Sequence, residues 1–182
     1  DLTERLLRLE WSESGTFEDR ATQVVLNRDF PPVPFTLRRD GDAVQLVTRG
    51  LQLDYDGGPF RTGGLSVRRP GDEGWSGVWH YGERHREEWR WPGNLGGTAR
   101  TLDTADGAVP LEPGVVSATG TAVLDDSASL ALDHAGMPVP RVGELDLYVF
   151  AHGHDAPAAV RDFYALTGPQ PMLPRYALGN WW

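Results

Sequence analysis

Two histidines separated only by Gly153, His152 and His154, come nearest in this chain to a metal-ligand spacing. Alternate residues of an extended segment can turn both imidazoles to one ion. No third ligand stands at a fitting spacing, and Asp155 is better placed to cap a helix. No metal is expected there, nor at the single His80 and His85. In "DYDGG", Asp54 and Asp56 reproduce half of a calcium loop, without its third oxygen residue and its late glutamate. A strand end and tight turn is the expectation. The neighbours in Glu87-Glu88 and Asp125-Asp126 point apart, so these pairs are expected on solvated surface rather than as an acid and base couple. "GGLSV" and "NLGGT" match neither glycine-rich phosphate-binding pattern, and no cofactor is expected.

The aromatic residues in "GWSGVWHYGERHREEWRWPGN" are more suggestive. Trp75, Trp79, Tyr81, Trp89 and Trp91 could stack on sugar C–H faces, with neighbouring arginines and carboxylates bonding hydroxyls. The plainer reading, which the stretch alone favours, is a core or interface plug under a long loop.

These residues need a scaffold, and the periodicity of the chain supplies a β one. "LLRLEW" sets Leu7, Leu9 and Trp11 against Arg8 and Glu10. "LQLDYD" sets Leu51, Leu53 and Tyr55 against Gln52, Asp54 and Asp56. "LDLYVF" sets Leu145, Leu147 and Val149 against Asp146, Tyr148 and Phe150. Period two with one apolar face predicts half-buried strands. "ATQVVLNR", "FTLRR", "AVQLVT" and "LSVRR" are further strand candidates, and "VVSATGTAVL" reads as two strands about a turn near Gly120. Asp40-Gly41 lies between two of them as a hairpin signal. The prolines of "RDFPPVPF" suit an edge or crossover. One helix is expected in "HDAPAAVRDFYALTG", capped by Asp155, with Pro157 in its first turn and Gly168 at its end. Its docking face is expected to be Val160, Phe163, Tyr164 and Thr167.

The 182 residues suffice for one good-sized core. No apolar run approaches the roughly 20 residues of a membrane span. The net charge of -9 opposes binding to nucleic acid or anionic lipid. All 17 basic residues are arginine, which we read as genome composition bias. Cysteine is absent, excluding disulfides and thiolate chemistry. The opening "DLTERLLRLEWSES" lacks a signal-peptide pattern, so a cytoplasmic location is expected over a secreted one.

Four stretches in order resemble the N-terminal domain of glycoside hydrolase family 31, the α-glucosidase family. They are "LLRLEWSESGTFEDRATQVVLNRDFP", "LQLDYDGGPFRTGGLSV", "NLGGTARTLDTADGAVPLEPGVVS" and "DLYVFAHGHDAPAAVRDFYALTGPQPMLPRYALGNWW". The third resembles a segment that one subgroup carries in place of a "GLGE"-type loop. The resemblance implies an all-β fold, a galactose mutarotase-like antiparallel β-sandwich over residues 1–154. A helix and proline-rich connector would follow over 155–174. Residues 175–182, with Trp181 and Trp182, would begin the first strand of a catalytic (β/α)8 barrel, making the chain a fragment.

The resemblance also implies a retaining α-glycosidase whose two catalytic aspartates belong to the barrel. No residue of this chain is expected to be catalytic. Its contribution would be a loop over the barrel mouth, with Arg100 and Asp103 as the leading substrate-binding candidates and Asp106, Glu112 and Ser117 behind them. The alternative for Arg100 and Asp103 is that they hold the loop itself. The partners implied are the chain's own barrel and an α-linked oligosaccharide or glycoside, with a homo-oligomer left open. The alternative is a free-standing carbohydrate-binding or structural sandwich without catalysis.

Overall fold

The computed structural model describes residues 2–71, 77–83, 106–107, 113–170 and 172–178. In chain order the strands are β1 (Leu6–Trp11), β2 (Thr36–Asp40), β3 (Ala43–Val47), β4 (Gln52–Tyr55), β5 (Leu65–Arg68) and β6 (Val78–His80). They continue as β7 (Ala122–Asp125), β8 (Ala131–Leu132), β9 (Pro138–Val139) and β10 (Leu145–Phe150), followed by helix α1 (Ala156–Thr167). All pairing between strands is antiparallel. One sheet has the order β1-β10-β7, a second β2-β3-β4-β5-β6, and β8-β9 form a small ribbon. The fold is therefore all-β with one helix near its C-terminal end among the described residues.

The hairpin at Asp40-Gly41 forms as the sequence requires. Gly41 takes φ +59°, and Asp40 pairs with Ala43 across two turn residues. β4 and β5 follow the period-two pattern: Leu51, Leu53, Leu65 and Val67 are buried and their neighbours less so. They meet Leu7, Leu9, Leu147 and Val149 of the three-stranded sheet in one core, with Trp79 of β6 beside them. Each such side chain contributes about 1.5–3 kcal/mol by leaving water. Trp79 and Tyr81 thus serve the core, as the plainer reading of the aromatic stretch held. Trp75, Trp89 and Trp91 lie outside the described residues, as do His85 and Glu87-Glu88.

The three-stranded sheet departs from the expected one-sided burial. In β10 every residue from Asp146 to Phe150 is buried, on both faces. The second face changes character along its length. At one end Leu6, Phe150 and Ala122 stand in register and pack on Val25 and on Leu166 of α1. At the other, Glu10 pairs with Asp146, and the Asp126 amide donates to the Asp146 carbonyl at 2.9 Å. Asp126 and Asp146 are both fully buried, which corrects the expectation of solvated surface for the Asp125-Asp126 pair; Asp125 is exposed.

Buried carboxylates need partners, and four arginines supply them. Arg8 donates from Nε and NH2 to the two Asp146 oxygens at 2.9 and 3.0 Å, and NH2 also reaches Glu10 at 2.8 Å. Arg141 NH2 donates to Asp146 at 3.1 Å. Arg28 Nε donates to the Tyr148 hydroxyl at 2.7 Å, and its NH2 lies 3.7 Å from both Asp126 and Asp146. Arg20 makes a two-point bond to Glu18, at 2.8 and 2.7 Å. Burial pushes Asp126 and Glu10 up from the ordinary carboxylate range and takes the Tyr148 hydroxyl to about 12.

This layer explains why "ATQVVLNR" is not a strand. Thr22 forms only a single bridge, to Ala131. Its hydroxyl donates to Asp126 at 2.8 Å and accepts from the Val25 amide at 2.9 Å, a local turn that competes with extension. The Leu26 and Asn27 amides then donate to the Leu166 carbonyl, at 3.0 Å each, which the end of α1 leaves open.

Helix α1 begins and ends where expected. The Asp155 carboxylate accepts from the Ala158 amide, Pro157 is in the first turn, and Gly168 at φ +85° donates to the Tyr164 carbonyl at 2.9 Å. The docked face is rotated from the expected one. Ala159 and Leu166 are buried with Phe163 packed beside them, whereas Val160 and Tyr164 are exposed. The sheet already presents Leu6 and Phe150, so a small residue and one leucine fill the space. Around Gly120 only the second expected strand forms, as β7. Arg175–Leu178 fold as one 3-10 turn rather than as strand, and residues 179–182 lie outside the described set.

Candidate functional site

Of the five substrate-binding candidates, Arg100, Asp103 and Glu112 lie outside the described residues. Asp106 is exposed. Ser117 is buried, its hydroxyl 2.8 Å from that of Thr119 and accepting from the Thr119 amide at 3.2 Å. Its carbonyl accepts from the Gly120 amide at 3.0 Å. Ser117 therefore closes the turn through which the chain re-enters the sheet as β7.

That turn is pinned from two sides. The Gly153 amide donates to the Gly120 carbonyl at 2.8 Å. Arg69, just beyond β5, donates to the Thr121 hydroxyl at 2.7 Å. The approach is too close for a side chain: a Cβ on Gly120 would meet the Gly153 Cα at 2.6 Å and Arg69 NH1 at 2.9 Å. Gly120 itself takes φ +76°. This corner joins residues 113–117, the five-stranded sheet and the turn into α1.

The two histidines of this corner part company. His154 is exposed, while His152 is buried with its Nε2 2.8 Å from Asp162 Oδ2 on α1. The same oxygen accepts from the Thr3 hydroxyl at 2.9 Å. Burial would push Asp162 up, but the bonds from His152 and Thr3 outweigh it and its carboxyl lies below the ordinary range. The unit ties the N-terminal residues, the end of β10 and α1 together. Among the described residues no group of three or more His, Asp or Glu side chains could hold a metal.

The half calcium loop is internally satisfied too. Asp54 accepts from Gln45 at 2.7 Å, from Gln52 at 2.8 and 3.0 Å, and from Arg68 at 3.0 Å. Asp56 accepts from the Gly58 amide at 3.0 Å and from Arg61. A Cβ on Gly64 would fall 2.6 Å from Asp56 Oδ2.

Sequence reasoning missed Asp162 and Arg69. Asp162 was within reach of it, since Ala159, Asp162 and Leu166 share a helix face and that face points at His152. Arg69 carried no local signal, because its contact with Thr121 spans 52 residues.

Among the described residues no helix is long and apolar enough to cross a membrane. No model of a known protein family and no curated protein matches the chain.

Proposed function

We propose that this chain is the N-terminal, galactose mutarotase-like sandwich of a retaining α-glycosidase of glycoside hydrolase family 31, lending a substrate-contacting loop to a catalytic barrel. One observation carries the reading. β1 from the first resembling stretch pairs with β10 from the last over all six residues, and β7, which follows the loop stretch, pairs on the other edge of β10. Two stretches linked only by their resemblance to one family thus meet in one sheet, and the strand that follows a third pairs beside them. The pinned corner at Gly120 and Gly153 supports the loop role, because a loop that positions sugar hydroxyls needs a rigid base. In this reading Arg100 and Asp103 contact the sugar, and both nucleophile and acid/base belong to the barrel.

The test is the natural gene product. Its intact mass and peptide sequence are expected to extend well past residue 182, and it should hydrolyse an aryl α-glycoside with retention. The 182-residue chain alone should hydrolyse none. In the long product Asp103→Ala should lower kcat/KM by about tenfold to a few hundredfold, the loss of one charged hydrogen bond. A natural product ending near residue 182 overturns the reading.

A further inference from the structure

The outward face of the five-stranded sheet carries a polar row across all five strands. Arg38 of β2 pairs with Gln45 of β3, Gln45 with Asp54 of β4, Asp54 with Ser66 of β5, and Ser66 with His80 of β6. At ordinary strand spacing the row spans about 19 Å. It forms the floor of an open groove of about 790 Å³, with Glu83 at its rim. That volume suits a small organic ligand.

The row is built rather than loosely solvated. Asp54 gathers the amide groups of Gln45 and Gln52 and the Arg68 guanidinium on its two oxygens. Both glutamine side chains are thereby fixed, and their carbonyl oxygens bond to no other described residue. The side chains of Arg38, Ser66, His80 and Glu83 bond to no other described residue. On the groove lining this combines the fixed acceptor of Gln45 with hydroxyls, an imidazole, guanidinium groups and carboxylates. Asp54, Asp56 and Glu83 on its lining, in a chain of net charge -9, oppose a phosphate or other anion. A ligand that both donates and accepts at many points without charge fits this set.

We propose that this groove binds a neutral oligosaccharide along the row Arg38, Gln45, Asp54, Ser66 and His80. The binding needs no catalytic barrel and uses none of the residues 94–117, so it stands whether or not the glycosidase reading does. The experiment is an amide NMR titration of the 182-residue chain with maltotriose, with cellotriose, and with inorganic phosphate. Saturable shifts at Gln45, Asp54, Ser66 and His80 are expected with at least one trisaccharide. Ser66→Ala and His80→Ala should each weaken binding about three- to tenfold, the loss of one hydrogen bond. Both positions face outward, and the dispersion of each variant's spectrum reports its folding. No saturable shift in this row with either sugar overturns the proposal. So do shifts with phosphate alone, or an affinity that neither variant changes.

Discussion

Arg8 and Asp146 lie on neighbouring strands and meet through two parallel bonds, Nε to Oδ1 at 2.9 Å and NH2 to Oδ2 at 3.0 Å. The carboxylate is fully buried and the guanidinium nearly so. Burial alone would favour loss of the Arg8 proton, but the bond to Asp146 and the surrounding negative charge raise its pKa further. Asp146 also serves Arg141 and faces Arg28. Asp146→Asn keeps the shape and removes the charge all three arginines share. It should cost about 3–5 kcal/mol in urea unfolding, as for breaking a buried pair from one side. A loss below about 1 kcal/mol would mean that solvent reaches this layer.

Glu18 sets an acid limit on stability. The two-point bond from Arg20 is the main cause, and amides of Val142 and Arg20 add to it, bringing the carboxyl from 4.5 to about 2. A carboxyl lowered in the fold stabilises above its unfolded value and loses that contribution as pH falls through the folded one. The raised Glu10 and Asp126 act in the opposite sense, so the whole-protein curve mixes the two. The comparison with Glu18→Gln isolates one group. The wild type should exceed the variant by roughly 2–4 kcal/mol at about pH 6, and the gap should close towards pH 2. A gap that does not change with pH would assign the bond's value to geometry rather than charge.

The strands of the inner core were legible in the sequence because apolar alternation there reports directly on burial. Leu51, Leu53, Leu65 and Val67 needed no knowledge of a partner sheet. The alternation in "LLRLEW" and "LDLYVF" gave the strands but misled about their second face. Arg8, Glu10 and Asp146 look solvent-facing until Arg28 and Arg141, 20 and 133 residues from Arg8 in the chain, are seen to cover that face. Charge complementarity at such separation leaves no periodic trace. The same holds for "ATQVVLNR", whose strand-like composition yields to the turn Thr22 makes under Asp126. At the candidate site the glycines could be seen but not their meeting. Gly120 reads as a turn residue, and only its contact with Gly153 shows why it could not be larger.

The docked face of α1 makes a direct comparison. Leu166 is fully buried against Leu6 and Phe150, while Val160 points to water. Leu166→Ala should cost about 2–5 kcal/mol by opening a cavity. Val160→Ala should stay within about 0.5–1 kcal/mol. Thermal unfolding of the two variants side by side decides it, and equal losses would restore the face expected from the sequence.

Two glycines with one backbone angle separate strain from contact at the pinned corner. Gly120 and Gly136 both take φ +76°. A Cβ on Gly136 would have nothing within 4 Å, whereas one on Gly120 would meet the Gly153 Cα at 2.6 Å. Backbone strain from alanine is therefore common to both positions, at about 1–3 kcal/mol. The contact term belongs to Gly120 alone, and its neighbour is a main-chain atom that cannot swing aside. Relief would require parting the Gly153 amide from the Gly120 carbonyl, and with it the turn into α1 from the turn at Ser117 to Gly120. Gly120→Ala should thus cost at least about 2 kcal/mol more than Gly136→Ala in denaturant unfolding. It should also speed amide exchange at Gly153, where Gly136→Ala leaves it unchanged. Equal costs and equal exchange would mean that the corner yields freely, and the rigid base proposed for the loop would go with it.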